Sequence, residues 1–325
     1  ADIALLSAEA AGRPSLVGVP GHHEGADEGA VRVLLEGKFT FDVIDLESEL
    51  SPYRLVILPD VIAVDRQLKA KLEKYVKKGG RVLLTGRSGI DPERGFVLDV
   101  GAEWKGTSAN AGGDYLLPIK PLRAGYVNDP LFMYRPAEKI RIRGGKSLGQ
   151  VYEPYFDRTP RHFSGHVNAA SRPDPSGFAA GVSKGGYTYF SFPIFTCYHA
   201  LGTVAMLEIA EKLIDFALGG ERLVTTTLPR AGRVTVRSQR RKRRDVVHLL
   251  HATPALRGNY RGAAVQPIQD LVTLHDIAVD VATTAAPRAV RLVPSGEQLA
   301  FTASGGRVRF VVPRLTGHEM IEIAY

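Results

Sequence analysis

Four stretches of this 325-residue chain hold side chains that could do chemistry. The richest is residues 21–28, where His22, His23, Asp27 and Glu28 offer imidazoles and carboxylates within one short loop. Their spacing matches no familiar helical pair of metal ligands, and Asp27 is read as the cap of a helix that follows. Contact with a partner surface or a sugar is therefore the favoured chemistry, and no metal is expected. The second stretch is Gly86-Arg87-Ser88-Gly89, at a strand end where some hydrolases carry a serine on a strained elbow. Here Ile90 stands where G-x-S-x-G requires its last glycine, so a turn is favoured over a nucleophile at Ser88. The third is Phe195 to His199, with Cys197, Tyr198 and His199. A Cys/His couple needs the imidazole within hydrogen-bond reach and a third orienting group, which adjacency does not supply. A buried structural cysteine is the expected state of Cys197. The fourth is Asp60, closing a short apolar run. His162 and His166 lie in an irregular region and read as solvated. No G-x-G-x-x-G follows the first strand, so no nucleotide or other cofactor is expected.

The elements that position these groups follow from periodicity. Arg54-Leu55-Val56-Ile57-Leu58 is a continuous apolar run closed by Pro59, the pattern of a strand buried on both faces of a parallel sheet. Asp65 caps a helix that presents Leu68, Leu72, Tyr75 and Val76 on one face and most of its lysines on the other. Gly79-Gly80 ends that helix, and residues 81–85 form the next strand. Upstream, residues 2–7 read as a strand, Ala30, Val31, Leu34 and Leu35 as the stripe of a helix ended by Gly37, and residues 41–45 as a strand. A helix between two such strands is a right-handed crossover, so residues 1–89 predict a flavodoxin-like, doubly wound parallel sheet. In open sheets of this kind ligands bind beyond the strand C-termini. That rule selects Ser7, the His22-His23 loop, Asp60, the 86–89 turn and residues 195–199.

From 95 to 185 the pattern breaks into short Gly-, Pro- and Tyr-rich pieces, with β-like segments at 115–119 and 140–143, read as an elaboration of the same sheet. Regularity returns with a strand over 187–192 and a helix capped by Thr203, with Leu207, Ala210, Ile214 and Ala217 on its buried face. Residues 221–325 change character: short segments at 223–228, 233–237, 246–251, 277–281, 289–293, 298–301, 307–312 and 320–324, separated by turn residues, predict a small antiparallel β-sandwich. The expected domains are thus 1–220 and 221–325.

Charge divides the chain in the same way. The net +8 lies in its last third: residues 221–325 carry 16 Lys+Arg against 8 Asp+Glu, whereas residues 1–220 carry 26 of each. Five of the cations are one run, Arg240-Arg241-Lys242-Arg243-Arg244, between two strand-like segments. No aromatic residues interleave with it to stack on bases, so a solvated hairpin turn is expected and nucleic acid is not. No apolar run is long enough to span a membrane, the N-terminus lacks the features of a signal peptide, so an export signal is either missing or already removed, and the single cysteine excludes an internal disulfide framework. A reducing cytoplasm is the simplest expected setting.

The segment YRLVILPDVIAVDRQLKAKLEKYVKKGGRVLLTGRSG resembles the trimerisation domain of family-42 β-galactosidases, an α/β domain similar to class I glutamine amidotransferases but without their catalytic cysteine. Three further stretches extend the likeness. GHHEGADEGAVRVLLEGKFTFDVIDLESELSPYRLVILPD, TYFSFPIFTCYHALGT and the closing DLVTLHDIAVDV with RAVRLVPSGEQLAFTASGGRVRFVVPRLTGHEMIEIAY look closest to bacterial glycoside hydrolases of the α-L-fucosidase-like group. The resemblance implies a non-catalytic assembly and active-site-shaping role in a glycoside hydrolase, a homo-oligomer (dimer or trimer) and a carbohydrate substrate. It also implies a catalytic (β/α)8 barrel before this domain, which needs about 200 residues or more. The amidotransferase-like pattern here begins at residue 2, so the barrel is expected outside this chain and no family catalytic residue carries over. Two rival readings remain: a free-standing hydrolase using Cys197 or Ser88, and a carbohydrate-binding protein stacking sugars on Tyr187, Tyr189, Phe195 and Tyr198.

Overall fold

The structure, a computed structural model, describes all residues except 12–24, 167, 261 and 262, and the side chain of residue 263. The expectation for His22 and His23 lies outside the described residues. The chain forms two compact units: one comprises Asp2–Val33 and Phe41–Gly220, the other Glu221–Tyr325 with Leu34–Thr40 and Ala1. The segment Leu34–Thr40, expected with residues 1–220, groups with the second unit for a local reason. Within that unit the Arg222 guanidinium lies 3.8 Å from the centroid of the Phe39 ring, and Lys38 Nζ donates to the carbonyl of Arg230 at 3.1 Å.

The first unit is built on a seven-stranded sheet. Its strands are β1 (Ile3–Leu6), β2 (Phe41–Ile44), β3 (Leu55–Leu58), β4 (Arg81–Thr85), β5 (Lys146–Ser147), β6 (Gly181–Lys184) and β7 (Tyr187–Phe190). They lie in the order β5-β6-β7-β4-β3-β1-β2. The pairs β2/β1, β1/β3, β3/β4 and β4/β7 are parallel, and β6 and β5 add an antiparallel edge. All four residues of β1, β3 and β7 are buried, as continuous apolar runs of a two-sided sheet require.

Helix α1 (Ala26–Glu36) buries Ala26, Ala30, Val33 and Leu34, a stripe rotated from the predicted one, since Val31 and Leu35 are only half-buried. In α2 (Arg66–Lys77), Asp65 accepts from the Leu68 amide at 2.8 Å as the N-cap, and Leu68, Leu72 and Tyr75 are buried. A helix absent from the sequence reading, α3 (Ile194–Leu201), follows β7 directly, starting behind Pro193 and ending at Gly202. Then comes α4 (Val204–Leu218), where Thr203 accepts from the Met206 amide.

The middle region differs from its expectation. Only β5 and β6 extend the main sheet; Ala102–Thr107 pairs with Glu138–Ile142, and Tyr115–Pro118 pairs with Leu131–Phe132 and Gly149–Tyr152, in separate small antiparallel sheets.

The second unit contains β8 (Val224–Thr226), β9 (Arg233–Gln239), β10 (Arg244–Leu250), β11 (Thr273–Ala282), β12 (Ala289–Val293), β13 (Phe301–Ser304), β14 (Arg307–Thr316) and β15 (His318–Ala324). They make two four-stranded antiparallel sheets, β8-β11-β14-β13 and β9-β10-β15-β12. Val279, Val308 and Phe310 from one and Val247, Leu292 and Ile321 from the other enter a single buried cluster. The basic run forms the turn of the β9/β10 hairpin, with Arg240, Arg241, Lys242 and Arg243 exposed and Arg244 paired to the buried Glu322 at 2.8 Å.

Candidate functional site

β3 runs out through Pro59 into Asp60, a non-glycine residue held at φ +49°. That left-handed backbone is tolerated by Asp better than by most residues, and here it turns a carboxylate inward. Asp60 is completely buried. One carboxylate oxygen accepts from the Thr85 hydroxyl at the end of β4 (2.6 Å), the other from the Thr196 amide in the first turn of α3 (2.6 Å). The Asp60 amide donates back to Thr85 Oγ1 at 2.9 Å, and its carbonyl accepts from the Arg87 amide at 2.7 Å. One side chain thus ties the ends of β3 and β4 to a helix start. Burial pushes the Asp60 carboxyl up to about 6, against hydrogen bonds from Thr85 and Thr196 that hold it down.

The 86–89 turn is built around this residue. A Cβ on Gly86, at φ +55°, would meet the Asp60 carbonyl at 2.9 Å, so the close approach and the backbone both require glycine. Ser88 is wholly buried, and its Oγ accepts from the Ile62 amide at 3.0 Å. Its reading as a group facing substrate or partner is therefore corrected: the hydroxyl satisfies a buried backbone donor.

α3 disposes the third stretch likewise. Phe195, Cys197 and Tyr198 are buried, while His199 is exposed. Residues two apart on a helix do not face each other, so Cys197 and His199 form no couple. Burial pushes the Cys197 thiol up to about 12, with the Asp60 charge adding to it and Arg135 opposing; Sγ lies 3.4 Å from the Met133 carbonyl. Phe195 and Tyr198 are corrected as partner-facing candidates, and no sugar platform exists at Tyr187, Tyr189, Phe195 and Tyr198, since all four are buried. The reason is close helix packing: a Cβ on Gly29 of α1 would lie 2.0 Å from the Phe195 carbonyl oxygen.

Asp27 lies inside the first turn of α1 and does not cap it. Its carboxylate accepts from the Ser7 hydroxyl (2.7 Å) and the Ala8 amide (2.9 Å), fixing the turn after β1. Glu28 is exposed. Among the described residues no cluster of three or more His, Cys, Asp or Glu side chains could hold a metal ion.

Beyond the strand ends lies a pocket of ≈ 360 Å³ whose walls include Asp60, Arg87, Thr107, Arg135, Glu138 and Thr196. Glu138 is buried; Trp104 Nε1 donates to Oε2 at 2.7 Å and the Thr107 hydroxyl to the same oxygen at 3.0 Å. It sits at an irregularity in the pairing of Glu138–Ile142 with Ala102–Thr107, the kind of bulge that re-aims a side chain. Arg87 and Arg135 are exposed, and their side chains make no hydrogen bond or ion pair among the described residues. The strand-end rule selects Asp60, the 86–89 turn and the 195–199 stretch that holds Thr196, but not Thr107, Arg135 and Glu138. No motif marks those three, because they come from the irregular middle region. Both carboxylates are held by internal hydrogen bonds, so they brace the pocket, while the two guanidiniums supply its free donors.

This is an α/β scaffold with a braced strand-end crevice, and the comparisons agree with the α/β fold. Residues 32–103 match the β-galactosidase trimerisation domain. Over its whole length the chain superposes on the α-L-fucosidase isoenzyme 2 from Paenibacillus thiaminolyticus, with TM-score 0.92 and 34% identity, covering 48% of that protein. It also superposes over its whole length on the β-galactosidase from Bacillus circulans sp. alkalophilus (TM-score 0.57, 15% identity, 41% of that chain). A GH42 β-galactosidase from G. stearothermophilus, in a catalytic-mutant form, gives TM-score 0.56 and 14% identity over all of this chain and 40% of that one. At such identities the β-galactosidases share the fold alone. The chain spans about half the length of the fucosidase it matches. No curated protein sequence matches it.

Proposed function

We propose that this chain is the non-catalytic, assembly-forming and active-site-shaping portion of a glycoside hydrolase of the α-L-fucosidase or β-galactosidase type, working with a catalytic barrel carried on another stretch of protein. The observation that carries the reading is the full-length superposition on the fucosidase at 34% identity. The crevice supports it: Cys197 and Ser88 are buried, and Asp60 and Glu138 are engaged by internal donors. The parallel strands run in the order β2-β1-β3-β4-β7, 2-1-3-4-5 counting parallel strands alone, which supports the flavodoxin-like and, with it, the glutamine amidotransferase-like reading of this unit. The two sheets of the second unit read as a β-sandwich over 221–325. The loop with His22 and His23 is assigned to a partner domain or sugar, and the cytoplasm remains the proposed compartment; among the described residues no helix is long and apolar enough to cross a membrane.

The test is light scattering on the purified chain together with nitrophenyl β-galactoside and α-L-fucoside assays. A dimer or trimer without turnover is expected. A monomer, or turnover abolished by Asp60→Asn or Glu138→Gln, overturns the reading. A second reading, sugar binding by the crevice, is favoured by the unpaired guanidiniums of Arg87 and Arg135. It predicts saturable binding of galactose or fucose that Arg135→Ala removes.

A further inference from the structure

The opposite edge of the same sheet carries a second cavity, of ≈ 570 Å³, at the N-terminal ends of β3 and β4. Five cations line it, Arg54, Lys71, Lys74, Lys78 and Arg81, with Glu49 as the acidic lining residue. Sequence and topology explain why they converge. Lys71, Lys74 and Lys78 stand at i, i+3 and i+7 at the C-terminal end of α2, and so share one helical face. Arg54 immediately precedes β3 and Arg81 opens β4; the Arg81 amide donates to the Arg54 carbonyl at 3.1 Å, which holds the two side by side.

Internal partners neutralise only part of this charge. Arg54 pairs with Asp2 at 3.2 Å, and Lys71 donates to the Leu46 carbonyl. The side chains of Lys74, Lys78 and Arg81 make no hydrogen bond or ion pair among the described residues. Two helix C-termini also end here: α2, capped by Lys78, and α4, capped by Gly219, whose added Cβ would meet the Arg81 guanidinium at 2.3 Å. Each helix end supplies about half a negative charge. Glu49 and both helix ends offset part of this charge, and Lys74, Lys78 and Arg81 remain the cations of the cavity whose side chains have no hydrogen-bond or ion-pair partner among the described residues. At the rim the buried Tyr75 donates its hydroxyl to the Tyr53 carbonyl at 3.1 Å. Its volume lies in the range of pockets that hold small ligands, about 300–1,000 Å³.

We propose that this cavity is a binding site for a dianionic phosphate group carried by a small phosphomonoester, such as a phosphorylated sugar. Lys74, Lys78 and Arg81 are its principal donors, and Arg81 is the one side chain able to grip two phosphate oxygens with a free planar fork. The site is independent of the strand-end crevice and of the glycoside-hydrolase reading.

The experiment is calorimetric titration of the whole chain with glucose 6-phosphate and with inorganic phosphate at low ionic strength, glucose serving as the uncharged control. Saturable one-site binding of both phosphates and none of glucose is expected. Lys74→Gln combined with Arg81→Gln should weaken it at least tenfold. Arg241→Gln with Lys242→Gln, which removes equal charge from the exposed hairpin turn, should change it less than twofold. Equal weakening by both pairs would reduce the effect to general attraction by a basic protein, and absence of saturable binding would eliminate the site. All four variant positions are exposed, and an unchanged melting temperature confirms that the fold is intact.

Discussion

The two ends of one parallel sheet treat polar groups in opposite ways. At the C-terminal ends of β3 and β4, Asp60, Thr85 and Ser88 are fully buried and bonded to one another, to backbone amides and to α3. At the N-terminal ends of the same strands, Arg54, Lys74, Lys78 and Arg81 stand exposed. The edge at which open α/β sheets ordinarily bind ligands is here braced by structural hydrogen bonds, with Arg87 and Arg135 as its exposed cations, and the opposite edge gathers the larger group of exposed cations. A buried polar group is costly unless it is paired, whereas an exposed cation costs little to keep. Substitutions at the two ends should therefore separate cleanly.

The largest contrast is kinetic. With its thiol pushed up to about 12 by burial, Cys197 should react with iodoacetamide near neutral pH on the order of a thousandfold more slowly in the folded chain than in urea. Comparable rates in the two states would mean that α3 opens readily and that the crevice is not braced.

Asp60→Ala comes next, because it strands the Thr196 amide and leaves a void. Unfolding in urea should show a loss of about 2 kcal/mol at pH 7. The pH dependence sharpens this expectation. With a folded value of about 6 against an ordinary 3.8, Asp60 holds its proton in the folded chain over a window where the unfolded chain has released it. Its contribution is complete below the unfolded value and is lost as pH rises through the folded one. Wild type should therefore gain roughly 1 kcal/mol between pH 7 and pH 5 relative to Asp60→Asn. A flat difference would show that Asp60 stays ionised throughout and is better solvated than its burial suggests.

Ser88→Ala removes the acceptor for the Ile62 amide and should cost about 1.5 kcal/mol in the same urea assay. A neutral effect would reopen the case for Ser88 as a functional rather than structural hydroxyl. At the other end of the sheet, Lys74→Gln with Arg81→Gln should shift stability by less than about 0.5 kcal/mol, as exposed substitutions do. A loss of 2 kcal/mol there would make those cations structural and erase the contrast.

Much of the scaffold was legible residue by residue. The runs at residues 55–58 and 81–85, the caps at Asp65 and Thr203, and seven of the eight strand positions after residue 221 are local signals, readable because hydrophobic periodicity and capping act over a few residues; the segment expected at 298–301 meets its strand, Phe301–Ser304, only at Phe301. α3 was missed because it begins directly behind Pro193 with no side-chain cap, so no local start signal sets it apart from the capped helix that follows at Thr203. Asp27 was misread for a related reason: an acidic residue near a helix start satisfies the cap rule from sequence alone, while its real partners, Ser7 and Ala8, lie about 20 positions upstream.

By itself the sequence determined the parallel core, the change to short antiparallel strands after residue 220, the solvated turn at Arg240–Lys242 and the expectation of an inert Cys197. Tertiary structure alone decided that Asp60 closes the strand ends, that Glu138 and Arg135 join it around one pocket, and that Arg54 and Arg81 meet three lysines of α2. Burial and long-range hydrogen bonding are set by which distant segments are brought together, and a one-dimensional pattern of hydrophobic and polar residues carries the period of each element but not the identity of its neighbour.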